Sequence, residues 1–356
     1  MKITETSFKV GRSLFFLILG LFLMGSLLAA CGSGTKGGEN PTPQGEGASQ
    51  GETTGKPPEK VVVTLDWYPN TNHTGLYVAK EKGYYKEQGL DVEIIQPGES
   101  TADQLVASGK ADFGVSYSEG VTLARATDLP IVSIAAVIQH NTSAFASLPE
   151  AGIKSPKDFE GKKYGGWGSP TEEAVIKALM EKYGADSTKW TNITLGQTDF
   201  FSSIGKQVDF EWIYYGWDGI EAERRGMKIN TIFLRDLDPD LDNYTPVLVT
   251  NEDHIKNKAD LVKRFMAATA KGYEFAISNP DEAADLLLKN APELNKDLVK
   301  KSQEWLSKEY QSDAPQWGIQ KKEVWERYAN WMMDKNLLPK RIDVEQAFTN
   351  DFLPKK

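Results

Sequence analysis

The chain carries one cysteine in 356 residues, Cys31. A lone cysteine excludes an internal disulfide, and it leaves everything after residue 31 without a thiolate metal site or a cysteine nucleophile. Histidine is almost as scarce: His73, His140 and His254 are the three present, and no pair has metal-ligand spacing. From Val61 onward there is no Gly-x-Ser-x-Gly elbow, phosphate loop or dinucleotide fingerprint, so the motifs of the common enzyme classes are missing there, and no self-similarity at a solenoid period appears. Positive charge is in deficit, with 41 Lys and Arg against 50 Asp and Glu and a formal charge of −9. That balance argues against nucleic acid or an anionic lipid surface as partner. Long apolar runs are lacking as well: Leu14 to Leu23 falls short of the ~20 residues a membrane span needs.

That short run comes after Lys2, Lys9 and Arg12 and leads to Leu28-Ala29-Ala30-Cys31. Residues 1–30 therefore read as a secretory signal. The cysteine directly after small residues resembles the bacterial lipobox, which implies that Cys31 becomes the first residue, carries the lipid (palmitate among its acyl groups) and provides the chain's sole membrane attachment. Residues 32 to 60 hold eight Gly and four Pro among polar residues, too little apolar surface to form a core. Residues 31–60 are expected to be a tether.

From Val61 onward the chain alternates between strand and helix patterns. Val61 to Leu65 is a β-rich run, Gly75 to Gln88 places Leu76, Ala79 and Gly83 at helical spacing, and Asp91 to Ile95 is a strand again, which makes a βαβ unit. The pattern continues with helix 100–108, strand 112–115, helix 118–126 and strand 130–137. A second series runs strand 163–166, helix 171–182, strands 192–195 and 209–214, helix 218–225 and strand 229–234. Strand 246–249 comes next, and helix dominates the rest. Two α/β series and a helical tail fit two lobes with the tail returning to the first: lobe I at 61–142, lobe II at 143–244, and the return strand with C-terminal helices at 245–356. In open α/β sheets ligands sit beyond the carboxyl ends of strands, where the loop Asp66 to Thr74 falls.

With catalytic motifs missing, the aromatics stand out. Trp67, Tyr117, Trp167 and the run Trp212-Ile213-Tyr214-Tyr215-Gly216-Trp217 lie at strand ends. Their faces suit a flat heterocycle, at ~1–3 kcal/mol per stacked base, or else fill cores. Asp66 is placed to accept hydrogen bonds from an exocyclic amine or to bond its own loop, and His73 is a ligand donor or a loop residue. Ser169-Pro170-Thr171-Glu172 and Ser116-Tyr117-Ser118-Glu119 both match a capping box. A glutamate in each already occupies the field that would attract an anion, so capping is the expected work of Glu172 and Glu119.

The stretch "LDWYPNTNHTGLYVAKEKGYYKEQGLDVEI", with "LVASGKADFGVS", "IKSPKDFEGKKYGG" and "WIYYGWDGIEA", resembles the thiamin-pyrimidine precursor family. These are solute-binding lipoproteins of ABC importers that salvage formylaminopyrimidine, related to the fungal pyrimidine synthase. The resemblance implies an α/β fold of the type II periplasmic-binding-protein class: two α/β lobes, two crossovers near 141–145 and 243–246, and a ligand cleft between. It implies that Asp66, Trp67, His73, Ser116, Tyr117, Trp167, Glu172, Tyr215, Trp217 and Tyr244 face the pyrimidine, with Glu221 a further partner for a ring amine. It also implies an ABC permease and its ATPase as partners, a monomer, and no cofactor. The synthase is the rival from another class. Aligned on "ADFGVSYSEG", its cofactor lysine falls on Ser116 and its ring-side histidine on Gly120. Its cysteine-rich run falls near Tyr244 to Val247, and its phosphate loop on Gly168 to Glu172. Each of those elements is replaced here, so a binder is expected. Riboflavin, nitrate or an alkylsulfonate would use the same lobes, but an oxyanion wants arginine or free N–H groups, whereas these loops offer acids and aromatics.

Overall fold

The computed structural model describes residues 57–355 apart from 97, 99 and 197. The signal, Cys31 and most of the tether lie outside the described residues. The first strand starts at Glu59, two residues before the expected start at Val61, because Glu59 and Lys60 pair in register with Leu90 and Asp91.

Lobe I runs β1 (Glu59–Thr64), a 3-10 turn (Thr71–His73), α1 (Thr74–Glu81), α2 (Tyr84–Glu87), β2 (Leu90–Ile95), α3 (Ala102–Ala107), β3 (Phe113–Ser116), α4 (Ser118–Ala126) and β4 (Ile131–Ala136). Lobe II runs β5 (Ser143–Ser147), β6 (Lys163–Gly166), α5 (Pro170–Lys182), β7 (Thr191–Thr194), α6 (Phe200–Ser203), β8 (Phe210–Tyr214), a π-helical turn (Tyr215–Gly219), α7 (Ile220–Arg224), β9 (Asn230–Phe233) and α8 (Leu234–Leu237). The chain then forms β10 (Val247–Asn251), α9 (Glu252–Asn257), α10 (Ala259–Ser278), α11 (Pro280–Asn290), α12 (Lys296–Glu309) and α13 (Lys322–Asp334).

The first sheet has the order β2-β1-β3-β10-β4 and the second β7-β6-β8-β5-β9. In the first, β1 is parallel to β2 and β3, and β10 runs antiparallel between β3 and β4. In the second, β6 is parallel to β7 and β8, and β5 runs antiparallel between β8 and β9. Burial explains the composition: β3, β4 and β10 are buried along their whole length, and helices cover both faces as parallel packing requires. The α1 and α10–α12 side holds Val61, Val63, Leu76, Phe113, Phe265 and Tyr273; the other side holds Val106, Val121, Val247 and Trp325.

Sequence and structure part at three places. The expected helix 75–88 is broken at Gly83, whose φ of +79° is the left-handed value glycine accepts at least cost, so Gly83 separates α1 from α2 and is not part of an apolar stripe. The strand Ser-Ala-Phe-Ala-Ser of β5 carries no β-branched residue and gave no signal. The first crossover consequently occupies 137–142, and residues 143–145, expected within it, are already strand. The C-terminal tail also does more than return to lobe I. α13 gives Trp325 and Ala329 to the lobe I core and Tyr328, Trp331 and Met332 to the core of lobe II.

The two crossovers are laced together. Asn141 Nδ2 donates to Asn243 Oδ1 at 3.0 Å and to Leu241 O at 2.9 Å, and Asn141 N donates to Asp242 Oδ1 at 2.9 Å. His140 sits between Asp242 (2.7 Å) and Asp313 (3.1 Å). The hydrogen bond to Asp242 is the largest effect on its imidazole and lifts its pKa above the ordinary value despite desolvation.

The position of α1 depends on two glycines. A Cβ on Gly272 would lie 2.1 Å from Gly75 O, and one on Gly75 would lie 2.3 Å from the Tyr273 ring. Gly272→Val forces backbone apart and is expected to cost ~3 kcal/mol, read as a lower urea midpoint with an unchanged slope.

Candidate functional site

The loop after β1 brings three predicted residues together around one carboxylate. His73 Nε2 lies 2.6 Å from Asp66 Oδ1, and the Tyr117 hydroxyl donates to Asp66 Oδ2 at 2.6 Å. The tautomer is set by the loop. Asn70 caps the 3-10 turn with its side chain and donates its backbone N–H to His73 Nδ1 at 3.2 Å. Nδ1 therefore accepts, and Nε2 carries the proton that Asp66 receives. Burial pushes the Asp66 carboxyl up, but the His73 ring and the bonds from His73 and Tyr117 outweigh it and hold the pKa below its ordinary value. The result is an anion at the tip of a central strand, 7% exposed, with lone pairs remaining on both oxygens.

A second acid stands behind it. Asp103 bonds Ser116, and burial, reinforced by the charge of Asp66, pushes its carboxyl up to about 6. Its Oδ1 is buried without a partner. Ser116 is thus occupied by an acid that the sequence did not single out. The capping box expected at Ser116 is not formed: Tyr117 is the N-cap of α4 and makes no side-chain cap. Glu119 instead reaches across to lobe II and bonds Thr171, its carboxyl raised by burial and by the charge of Glu172.

Tyr214, at the end of β8, is where the two lobes' fields meet. Its hydroxyl bonds Thr245 of the second crossover; desolvation, then the charges of Glu119, Asp66 and Glu172, push its pKa up. Two of those acids come from lobe I and one from lobe II. Asp218, in the π-helical turn, is another acid, half-buried: it accepts the Tyr214 N–H at 3.4 Å and is pushed up to about 6 by desolvation and by Asp199 and Glu221.

Trp67 and Trp167 keep large exposed faces, 44% and 46%; the first packs edge-on against Tyr68 and the second against Trp212. Trp217 is half-buried against the lobe I core. Four predicted residues have other work. Glu172 accepts from Tyr164 OH and from the backbone N–H of Trp167, Gly168 and Ser169, and completes the capping box of α5, so it shapes the loop. Tyr215 packs on Phe233 and Trp305 and donates to Glu223. Glu221 is held by Arg224 and Arg225, which lower its pKa. Tyr244 is buried beside Trp325 and accepts from Lys321 N. Strand parity carried part of the missed signal. Phe210, Trp212 and Tyr214 share a face of β8, so Tyr214, rather than Tyr215, continues it.

A sequence profile of a family described as NMT1/THI5 like matches residues 70–283. A formylaminopyrimidine-binding protein of Halalkalibacterium halodurans is 32% identical over 352 residues, spanning 94% of this chain and 98% of its own. A 4-amino-5-hydroxymethyl-2-methylpyrimidine phosphate synthase of Legionella pneumophila is 25% identical over 307 residues, spanning 83% of this chain and 92% of its own. Among solved structures, the periplasmic aliphatic sulphonate binding protein SsuA of Escherichia coli superposes with a TM-score of 0.64 at 14% identity, covering 84% of this chain and 94% of that one. That likeness shows the fold, the two-lobed periplasmic-binding-protein class.

Asp103 provides a test of the site's electrostatics. A carboxyl raised to about 6 when folded binds a proton that the unfolded chain has released near pH 4, so its contribution to stability is lost as pH rises from ~4 to ~6. Asp103→Asn removes that penalty. It is expected to stabilise the ligand-free protein by ~1–3 kcal/mol at pH 7.5 and to leave stability nearly unchanged at pH 4, read by urea unfolding at the two pH values.

Proposed function

Because the chain belongs to the NMT1/THI5-like family and has the fold of an ABC importer's solute-binding protein, we propose that it captures a thiamin-pyrimidine precursor, formylaminopyrimidine or a close relative, for uptake. The observation that carries this reading is the set of buried and half-buried acids contributed by both lobes, with Asp66 held ionised by His73 and Tyr117. Such a site favours a ligand that brings N–H donors and disfavours an oxyanion. The amine of an aminopyrimidine is assigned to Asp66 and Asp103, its ring faces to Trp67, Trp167 and Trp217, and Asp218 is a second acid on the lobe II side. Closure of the lobes removes water from these contacts and strengthens them. A ligand biases closure only through its difference in affinity for the closed form, so contacts from both lobes are required.

A binding role is favoured over the synthase reaction by the packing at two positions. Ser116, aligned with the synthase's cofactor lysine, is buried and bonded to Asp103. Gly120, aligned with its ring-side histidine, has Asp103 Oδ2 2.8 Å from where a Cβ would be, so a larger side chain there would displace the acid. The proposed partners are a permease that reads the closed lobes and an ATPase that drives release. A lipid on Cys31 is proposed to keep the protein, as a monomer, at the outer face of the membrane.

Calorimetric titration with formylaminopyrimidine, thiamin and taurine checks this. Heat from the pyrimidine is expected, and heat from taurine alone overturns the assignment. Asp66→Asn and Trp217→Ala are each expected to weaken pyrimidine binding by more than about tenfold; unchanged affinity removes that residue from the site.

A further inference from the structure

α12 belongs to the lobe I helices through α10 and α11, yet it touches the lobe II turn that carries Trp217 and Asp218. Ser302 of α12 is fully buried and donates to Gly216 O of that turn. Its oxygen also lies 2.6 Å from Thr71 Oγ1, in the lobe I loop that carries Asp66 and His73. A serine hydroxyl has one proton. Since that proton goes to Gly216 O, Thr71 must be the donor to Ser302, and the chain has a fixed direction: Thr71 O–H to Ser302 O–H to Gly216 C=O.

Both ends are anchored. The carbonyl of Thr71 accepts from Tyr310 OH, and the next carbonyl, Asn72 O, accepts from Tyr273 OH at 2.8 Å. At the other end, a Cβ on Gly216 would meet Leu306 at 3.0 Å and Trp305 at 3.2 Å, so the bare backbone at residue 216 lets α12 approach. Trp305 also packs on Tyr215, and Arg235 of lobe II pairs with Glu309 at the end of α12 at 2.9 Å.

The geometry points to Ser302 as a positioning residue that ties the two ligand-presenting segments, 66–74 of lobe I and 215–219 of lobe II, into one unit when the lobes are together. With the lobes apart, Gly216 O is hydrated and loses nothing. Together, it depends on Ser302, and removing the hydroxyl leaves one unmet group on each lobe, which penalises the joined form alone. Ser302 has no ligand contact; it sets how much of the protein is ready to bind one.

The inference rests on the ligand-site reading only for which segments present the ligand, and one arm of its test uses no ligand. Hydrogen–deuterium exchange is measured over residues 66–74 and 214–220 in the full chain without ligand. Ser302→Ala is expected to speed exchange in both segments, as is Thr71→Val. The double variant is expected to be no faster than Ser302→Ala, and Thr71→Ser to match the wild type. Ser307→Ala, whose hydroxyl donates only within α12 to Glu304 O, is expected to change neither segment. In the second arm Ser302→Ala weakens formylaminopyrimidine binding by about tenfold. Faster exchange in one segment only, in neither, or evenly across lobe I overturns the relay. Unchanged exchange in Ser302→Ala beside normal pyrimidine binding sinks the relay alone. Faster exchange in both segments beside a wild type that binds no pyrimidine sinks the ligand alone.

Discussion

A carboxylate buried at the end of a central strand has to be given donors, and much of lobe I is arranged around meeting that need for Asp66. The proton on His73 Nε2 is available because Asn70 N–H occupies Nδ1. That bond requires the 3-10 turn, and the turn sets where α1 begins. α1 in turn reaches its depth because Gly75 and Gly272 let it approach α10. The charge on Asp66 and the packing of α1 are therefore one constraint: a change on the far side of α10 acts on the acid through the helix.

The alternation of strand and helix was legible in the sequence because the lobes are built from β-branched runs and amphipathic helices whose periods differ. What escaped was local. β5 forms from Ser, Ala and Phe because it lies between β8 and β9 and is buried along its length; tertiary context supplies what propensity does not. Gly83 fits a helical pattern by spacing and ends the helix by conformation. The π-helical turn after β8 has no pattern of its own, yet it carries Trp217 and Asp218.

For the site, residues fixed by the first βα loop were legible, because a strand succeeded by Asp and a capped turn leaves few places for the side chains to go. Those on the second lobe were less so. Glu221, a candidate partner for a ring amine, is held by Arg224 and Arg225; Glu172, expected to cap its helix or to face a ligand, is taken up by its loop and by Tyr164. Asp103 is not marked out by the sequence, and Tyr214 is not distinguished within its aromatic run, for the opposite reason. An acid in the first turn of α3 passes for a response to the helix dipole, and a tyrosine among aromatics passes for core. Only the meeting of segments distant in sequence brings either one its partners.

The placement of β10 bears on how the protein is made. Lobe II is assembled from one unbroken stretch, β5 through β9, whereas the first sheet is incomplete until Val247–Asn251 has slotted between β3 and β4. A chain that emerges amino end first presents the later lobe with all its strands while the earlier lobe still has a gap at its middle. The half synthesised first is the half finished last, and during that interval the open edges of β3 and β4 are what a chaperone would have to shield.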